Sequence, residues 1–346
     1  ISNKDYAANF ADFLDAQSGD QPFCFWYGGH EPHRSYSPGE GQRGGKDPAT
    51  IQVPPYLPDD PIVRADLCDY AYEIEWFDRH LGLMLQELEK RGLLSNTLVV
   101  VTSDNGMPFP RVKGQMYECD FKLPLAVMWP AKIPGGRISN DLVSFTDFAP
   151  TFLEAAGIKE NPKMAGKSLL PILTASGSGI LEPSRDAVVM GREKHDLGSE
   201  DDLGYPVRCL RDHQYLYVRN FEPDRWPAGN PETGFTNCDS SPTKDFILAQ
   251  RESGQEYFFQ LAFGKRPAEE LYDIIEDEPC IHNLALDPAF DAVLRKMRDR
   301  LELILKETGD PRIFGNGEIF EAYPYVGSKT HSWKAYKDGT WKKQKY

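Results

Sequence analysis

Apolar positions change their spacing from helical to strand-like several times along the first half of the chain. Between Ile62 and Arg91 they recur every three or four residues, which predicts a long amphipathic helix. Gly92 provides the C-terminal stop of this helix. The runs TLVVVT (97–102) and LPLAVMW (123–129) are continuously apolar, which is typical of buried strands. Strands that alternate with helices predict an α/β fold with a mostly parallel sheet flanked by helices.

Shorter patterns extend this arrangement on both sides. Residues 6–14 carry aromatic and aliphatic side chains at helical spacing, and the run PFCFWYGG (22–29) predicts a buried strand after that helix. Residues 150–156 predict a further helix that ends at Gly157. Residues 30–61 are rich in glycine, proline and charge and are too long for an ordinary connection. Loops of this length in compact domains are usually functional or disordered.

The pattern changes after about residue 175. The run TASGSG (174–179) is typical of a linker, and the short runs AVVMG, YPVRCL and YLYVRN predict a smaller antiparallel sheet. Residues 287–307 predict a closing helix, and the lysine- and aromatic-rich end predicts an extended tail. We therefore expect three parts, at 1–176, 183–310 and 311–346.

Charge and composition exclude several classes of protein. The 346 residues include 53 acidic and 39 basic side chains, and the net charge of −14 argues against a nucleic-acid or membrane-surface partner. No apolar run approaches the ~18 residues that span a membrane. The six cysteines are scattered without CxxC spacing, so no zinc site is predicted and one or two disulfides remain open. The sequence has no N-glycosylation acceptor, which favours a bacterial periplasmic or secreted protein over a lysosomal one.

Polar residues follow the strand TLVVVT directly, in the sequence SDNG. Asp104 supplies a carboxylate and Asn105 a carbonyl oxygen, and both are hard donors suited to Ca²⁺ or Mg²⁺. Ligands of open α/β sheets bind beyond the carboxyl ends of the strands. Gly106 then lets the backbone turn away. A bare DNG is also typical of an Asx turn, so its context has to decide.

Two further segments carry candidate chemistry. In GGHEPHRSY, His30 and His33 lack the HExxH spacing of a zinc protease, and Pro32 opposes the helix that such a site needs. One of these histidines is expected to donate a proton to a leaving group, and the other to pack within the loop. Lys113 follows the SDNG segment and is expected to stabilise a tetrahedral anion, with Lys122 as the weaker candidate.

These segments, taken in order, resemble the sulfatase branch of the alkaline-phosphatase superfamily. The order is HxPH, a long helix, SDNG, a lysine followed by glycine, and then TDFAPTFLEAAG. Within that branch the chain is most similar to the heparan N-sulfatase (sulfamidase) group. The segments that carry this likeness are HEPHR, VPPYLPDDPIVRADL, SDNGMPFP, YPVR, ELYDIIEDEP and NLALDP.

The resemblance implies an alkaline-phosphatase-like fold and a role for each matching residue. Asp104 and Asn105 match calcium ligands of the family, with Mg²⁺ as an alternative ion. His33 matches the histidine that contacts the sulfate and the leaving-group oxygen, and Lys113 matches the cation on the transferred sulfate. The residues expected to bind substrate are Arg34, His195 and Arg208.

The sequence also departs from the family pattern. Sulfatases use a formylglycine made from a (C/S)xPxR motif, and an early pair of aspartates completes the calcium site. Neither feature is visible here, and the nearest match, LEPSR (181–185), has Leu181 at the nucleophile position. The chain begins at Ile1 rather than methionine. We therefore expect the formylglycine to lie in a missing N-terminal segment that acts as a partner. The alternative is a protein that kept the fold and lost catalysis.

The expected function, as the resemblance implies, is hydrolysis of a sulfate ester or sulfamate on a sulfated sugar of the heparan-type glycosaminoglycans. The sequence leaves open whether the bond is an N-sulfate or a 6-O-sulfate, because pocket shape decides this. Two alternatives remain at this point. One is a phosphate or phosphonate monoester hydrolase of the same superfamily, and the other is a noncatalytic module that binds sulfated glycans.

Overall fold

The computed structural model describes residues 1–18, 21–159 and 163–343, over which helices alternate with short strands. The helices are α1 (Tyr6–Asp15), α2 (Glu40–Arg43), α3 (Pro61–Lys90), α4 (Glu118–Phe121), α5 (Phe148–Ala155), α6 (Leu170–Thr174), α7 (Pro242–Glu252), α8 (Tyr257–Phe263), α9 (Asp291–Glu307) and α10 (Trp333–Lys337). The strands are β1 (Val99–Thr102), β2 (Leu125–Met128), β3 (Ala187–Arg192), β4 (Val207–Asp212), β5 (Tyr215–Asn220) and β6 (Glu269–Asp273). None of these helices combines the length and apolar character needed to cross a bilayer.

Helix α3 is the central helix, and its prediction is confirmed. Asp60 caps it by accepting a hydrogen bond from the backbone of Ile62 at 2.9 Å, and Pro61 occupies its first position. Gly92, with φ of 70°, ends it in the left-handed conformation that favours glycine. Its buried face packs on one side against α1 and on the other against α7 and α8. The helix therefore joins the N-terminal part of the chain to elements beyond residue 240.

The predicted strand at 22–29 is extended but pairs with no strand in the described part of the chain. Its side chains alternate as a strand requires. Phe23, Phe25 and Tyr27 pack against α1 and α3, whereas Trp26 points away and is 85% exposed. The apolar run therefore has one covered face and one open face. The expectation of a strand buried on both faces is wrong for the described residues.

Strands β1 and β2 were expected to lie in a mostly parallel sheet, but they pair antiparallel, with Val99 opposite Met128 and Thr102 opposite Leu125. A parallel pair needs a crossover that returns the chain to the same end of the sheet, usually through a helix. The connection here contains α4, which has four residues, and it lets the chain reverse direction. No parallel strand pair is formed within residues 1–18, 21–159 and 163–343.

The segment LEPSR, which has Leu181 at the position of the nucleophile, has a structural role. The Arg185 guanidinium is buried and pairs with the Asp147 carboxylate at 2.8 Å, at the start of α5. Asp141 accepts backbone hydrogen bonds from Leu181 and Glu182. These contacts fasten the segment between the two sheets.

The C-terminal sheet is antiparallel in the order β3-β4-β5-β6, which confirms the predicted character of this part. Its two faces are covered by different elements. Leu210 and Leu271 pack against α9, while Cys209 and Val218 pack against the segment that contains α4. The sheet thus supports the chain that leads from the SDNG segment to β2. Sequence patterns missed β6, α7 and α8.

The end of the chain differs from the predicted extended tail. Residues 311–343 contain two short 3₁₀ turns and α10, and Trp333 is only 9% exposed. The Tyr325 hydroxyl donates to Asp196 at 2.8 Å. Apolar and polar anchors spaced along the tail therefore hold it against the loop after β3. All six cysteines are free thiols, so neither of the disulfides left open by the sequence forms.

Candidate active site

The SDNG segment begins where β1 ends. The Ser103 hydroxyl donates to the backbone oxygen of Asn105 at 2.7 Å, and the Asn105 amide nitrogen donates to the backbone oxygen of Gly106 at 2.7 Å. These local bonds fix the turn and use the nitrogen of the Asn105 side chain, not its oxygen. The Asp104 side chain is exposed. The turn therefore offers a carboxylate and an amide oxygen beyond the strand end.

The chemistry of this pair fits a hard cation but supplies only part of its shell. Ca²⁺ takes six to eight oxygen ligands. Across residues 1–18, 21–159 and 163–343, no group of three or more His, Cys, Asp or Glu side chains is placed to hold a metal ion. Asp104 and Asn105 could hold one side of such an ion, and the remaining ligands would come from outside the described residues.

The Arg34 guanidinium is held in a buried ion pair, and its expected role in substrate binding stays a prediction. It forms a two-pronged ion pair with the Asp66 carboxylate of α3, at 2.7 and 2.9 Å. Its Nε donates to the backbone oxygen of Pro108 at 2.9 Å, and it stacks on the rings of Tyr36 and Phe109. The Arg34 side chain is buried between these partners. It therefore joins the HEPHR loop to the segment that follows SDNG.

His33 lies on the accessible side of the same loop. Its Nδ1 is hydrogen-bonded to the backbone oxygen of Arg34, which requires Nδ1 to carry the proton. The remaining ring nitrogen, Nε2, is therefore the one available to a substrate. The His30 ring is 5.4 Å away between centroids. This geometry suits His33 to proton transfer.

Lys113 and His195 are neighbours, although they are far apart in the sequence. The Lys113 ammonium lies 3.1 Å from the Asp239 carboxylate. The next residue, Gly114, has φ of 75°, and a Cβ placed on it would lie 3.0 Å from Nδ1 of His195. The His195 ring is accessible from one side and surrounded by protein on the other. This desolvation, together with the positive charges of Arg192 and Lys113, lowers the pKa of His195.

Asp120, which the sequence analysis did not single out, lies beneath these two segments. Its carboxylate accepts a hydrogen bond from the backbone N–H of Gly106 at 3.2 Å and another from the backbone N–H of Gly114. Burial raises the pKa of Asp120 to about 7, against the effect of these donors and of the Arg192 charge. The acidic MYECDFK run just before β2 was the available signal, but an acidic run in a sequence usually indicates a solvated surface.

Arg208 is paired with two carboxylates, and its expected contact with substrate stays a prediction. Its Nε lies 2.6 Å from the Asp310 carboxylate, and its Nη2 lies 2.6 Å from the Glu193 carboxylate. Arg312 pairs with the same Glu193. These groups line an open cleft of about 270 Å³ between β3 and the end of α9. Two guanidiniums beside two carboxylates leave little net positive charge for a sulfate.

The structure thus joins some predicted site residues and separates others. Lys113 and His195 are in contact through Gly114, and Asp120 connects that point to the turn after Asn105. The His33 loop is anchored to the same segment through Arg34 and Pro108. Arg208 lies on β4 with its own carboxylate partners.

The fold defined by these elements occurs in known structures. A putative sulfatase from Bacteroides fragilis superimposes with a TM-score of 0.63 at 18% identity, over 89% of this chain and 59% of that one. The two chains therefore share a fold, which confirms the sulfatase-like fold that the sequence predicted.

Sequence comparison gives the family. Residues 1–158 match the family model named Sulfatase. The human N-sulphoglucosamine sulphohydrolase is 31% identical, with 89% of this chain and 65% of the relative covered. An ulvan-active sulfatase of Formosa agariphila is 28% identical, with 81% of this chain and 44% of the relative covered. The chain therefore contains a region that matches the sulfatase family and is similar to sulfatases over most of its length, and it spans between 44% and 65% of the length of these two relatives.

Proposed function

We propose that this chain is the part of a sulfatase that recognises a sulfated sugar and assists the cleavage of its sulfate ester or sulfamate bond. The observation that carries the proposal is the placement of Lys113 and His195 beside the turn that presents Asp104 and Asn105. The similarity to an N-sulphoglucosamine sulphohydrolase favours a glucosamine of the heparan-type glycosaminoglycans as the sugar.

The metal and the nucleophile are part of the proposal. Asp104 and Asn105 would hold one side of a Ca²⁺ ion, or of Mg²⁺ as the alternative, and the other ligands would come from a segment outside this sequence. The same segment would carry the formylglycine. A bound divalent cation neutralises the oxygens of a sulfate group and lowers the pKa of a nucleophile beside it.

Each of the chain's own residues has a defined task. The Lys113 ammonium neutralises the charge on the sulfate oxygens as the bond to sulfur breaks. His33, protonated on Nε2, donates that proton to the departing nitrogen of a sulfamate or oxygen of an ester. His195, kept neutral near pH 7 by its lowered pKa, offers a hydrogen bond to the sugar. We assign no step to Arg34 or Arg208, because both are buried and each makes at least two bonds to carboxylate oxygens, whereas Lys113 is partly exposed and has one carboxylate contact.

Exposed apolar side chains support a further segment as a partner. Trp26 is 85% exposed, and Phe145 and Phe152, which belong to a row of stacked rings with Phe148, are 42% and 40% exposed. Apolar surface of this kind is usually covered in the native assembly. We propose that the segment holding the nucleophile covers it, and that the protein acts in the bacterial periplasm or is secreted.

The test is a turnover assay of the intact protein on N-sulfoglucosamine and on glucosamine-6-sulfate, with a phosphate monoester in parallel. Lys113→Ala and His33→Ala should each lower kcat by about 10²-fold or more, the size of a lost charge-stabilising or acid group. Lys122→Ala and His282→Ala are the matched controls, because both side chains are exposed and lie in surface ion pairs.

Three outcomes would contradict the proposal. Faster turnover of the phosphate monoester would favour the phosphatase alternative. Heparin binding without release of sulfate would favour a glycan-binding module. Near-parental rates in both Lys113→Ala and His33→Ala would remove the assigned roles.

A further inference from the structure

A buried carboxylate beneath the candidate site is not used by the proposed chemistry. Asp120 lies on α4 and is 7% exposed. The two backbone amides that donate to it belong to Gly106 and Gly114. Gly106 directly follows Asn105, and Gly114 directly follows Lys113. One side chain therefore contacts both segments that carry site residues.

Both segments come so close to their neighbours that only glycine fits at the contact. A Cβ on Gly106 would lie 2.6 Å from the backbone oxygen of Cys119 and 2.7 Å from Cα of Asp120. Gly114 has a φ of 75° and supports the His195 ring on its other side. The glycines thus let the backbone N–H groups reach the carboxylate directly. The close packing around Gly106 leaves little room for that segment to move relative to Asp120.

Cations near Asp120 partly offset the effect of its burial. Arg192, at the end of β3, and Lys113 both lower the pKa of this carboxyl, although burial raises it further. A buried carboxyl group that accepts N–H bonds from two segments links those segments to each other, and the bond from Gly106 is 3.2 Å long. Such bonds fix the separation of the groups that donate them.

We propose that Asp120 is a positioning residue that holds the Asp104–Asn105 turn and Lys113 at a fixed distance from each other. The inference rests on the proposed sulfatase function, because it assigns Asp120 to the same site. Asp120 contacts neither the sulfate nor the sugar. It acts through the backbone of Gly106 and Gly114, so that a metal ion on the turn and the ammonium of Lys113 meet the same sulfate group.

The experiment compares Asp120→Ala with Asp120→Asn in the intact protein. Asp120→Ala removes both acceptors, and we expect kcat to fall by about 10²-fold with KM unchanged, as for a displacement of catalytic groups by about 1 Å. Its activation by added Ca²⁺ should require higher concentrations. Asp120→Asn keeps one carbonyl oxygen as an acceptor and should recover much of kcat.

A second readout does not depend on activity. Hydrogen–deuterium exchange of peptides covering 103–108 and 112–116 should be faster in Asp120→Ala and close to parental in Asp120→Asn. Glu118→Gln is the control for damage to α4, because Glu118 lies on the same short helix but pairs with Arg211 at 2.8 Å. It should lower the melting temperature and leave kcat and the exchange of both peptides unchanged.

The outcomes separate the two proposals. Parental kcat, Ca²⁺ response and exchange in Asp120→Ala would overturn the positioning role. Equal losses of kcat in Asp120→Ala and Glu118→Gln would also overturn it, because they would indicate general damage to α4. If the parent protein releases no sulfate, the proposed function fails, and the exchange of the two peptides still decides whether Asp120 holds them.

Discussion

The buried pair of Arg34 and Asp66 gives a sharp test of whether Arg34 serves the fold or the substrate. The Arg34 guanidinium bonds both oxygens of Asp66, donates to Pro108 and stacks between two aromatic rings. Arg34→Ala would remove all of these contacts at once. It would also leave the Asp66 carboxylate, which is 3% exposed, without its counter-ion.

The expected loss of stability follows from these contacts. Breaking a buried ion pair by removing one partner costs about 3–5 kcal/mol, because the remaining charge stays buried. Asp66 keeps two hydrogen bonds from Thr243, one from its hydroxyl at 2.6 Å and one from its backbone N–H at 3.4 Å, which limit the loss. Each lost stacking contact adds roughly 0.5–2 kcal/mol. We therefore expect Arg34→Ala to lower the free energy of unfolding by about 4 kcal/mol.

Urea unfolding of the intact protein at pH 7 measures this loss. Arg43→Ala is the matched control in the same loop, because Arg43 is exposed and donates only to the backbone of Pro38. Its effect should stay within about 0.5 kcal/mol, as for most surface substitutions. The double variant with Asp66→Ala should lose much less than the sum of the two single losses. A loss below about 1 kcal/mol in Arg34→Ala, together with a raised KM, would refute the structural role and restore the contact with substrate.

Three further predictions concern other parts of the chain. Desolvation and the neighbouring cations lower the pKa of His195. The folded protein therefore favours the neutral ring, and this contribution to the free energy of unfolding should be complete above pH ~6.5 and decrease as the pH falls. Lys113→Met should raise this pKa, as measured by NMR titration of the ring, and an unchanged value would contradict the contact. In denaturant without reductant, all six thiols should react with a thiol reagent, and a count below six would indicate a disulfide. In the native protein only Cys24, the exposed cysteine, should react rapidly. Arg208→Ala leaves the Asp310 carboxylate without its guanidinium, while Glu193 keeps Arg312, and it should lower the melting temperature without changing KM. A raised KM at unchanged stability would instead show that Arg208 contacts substrate.

Local patterns in the sequence determined most of the helices and strands. The spacing of apolar residues located α3, β1 and β2, and the capping residue Asp60 and the terminal Gly92 set the ends of α3. These features depend on the conformational preferences of neighbouring residues, which the sequence states directly. The same holds in part for the SDNG turn, in which Ser103 and Asn105 make hydrogen bonds within residues 103–106.

Strand direction and the partners of charged side chains were decided only by the tertiary structure. An apolar run predicts a strand but not its neighbour, so β1 and β2 could pair antiparallel and 22–29 could remain unpaired. The elements between residues 240 and 275 were missed because their apolar faces become regular only when packed on α3 and on the C-terminal sheet.

The candidate site shows the same division. The sequence identified Asp104, Asn105 and Lys113 because each follows a recognisable local signal. It could not show that Arg34 pairs with a carboxylate 32 residues away, or that Arg208 pairs with one 102 residues away. The sequence does not show which carboxylate will pair with a given arginine, because that depends on which residues the fold brings together. For the same reason the role of Asp120 became visible only when two glycines, one on each segment, were seen to donate to its buried carboxylate.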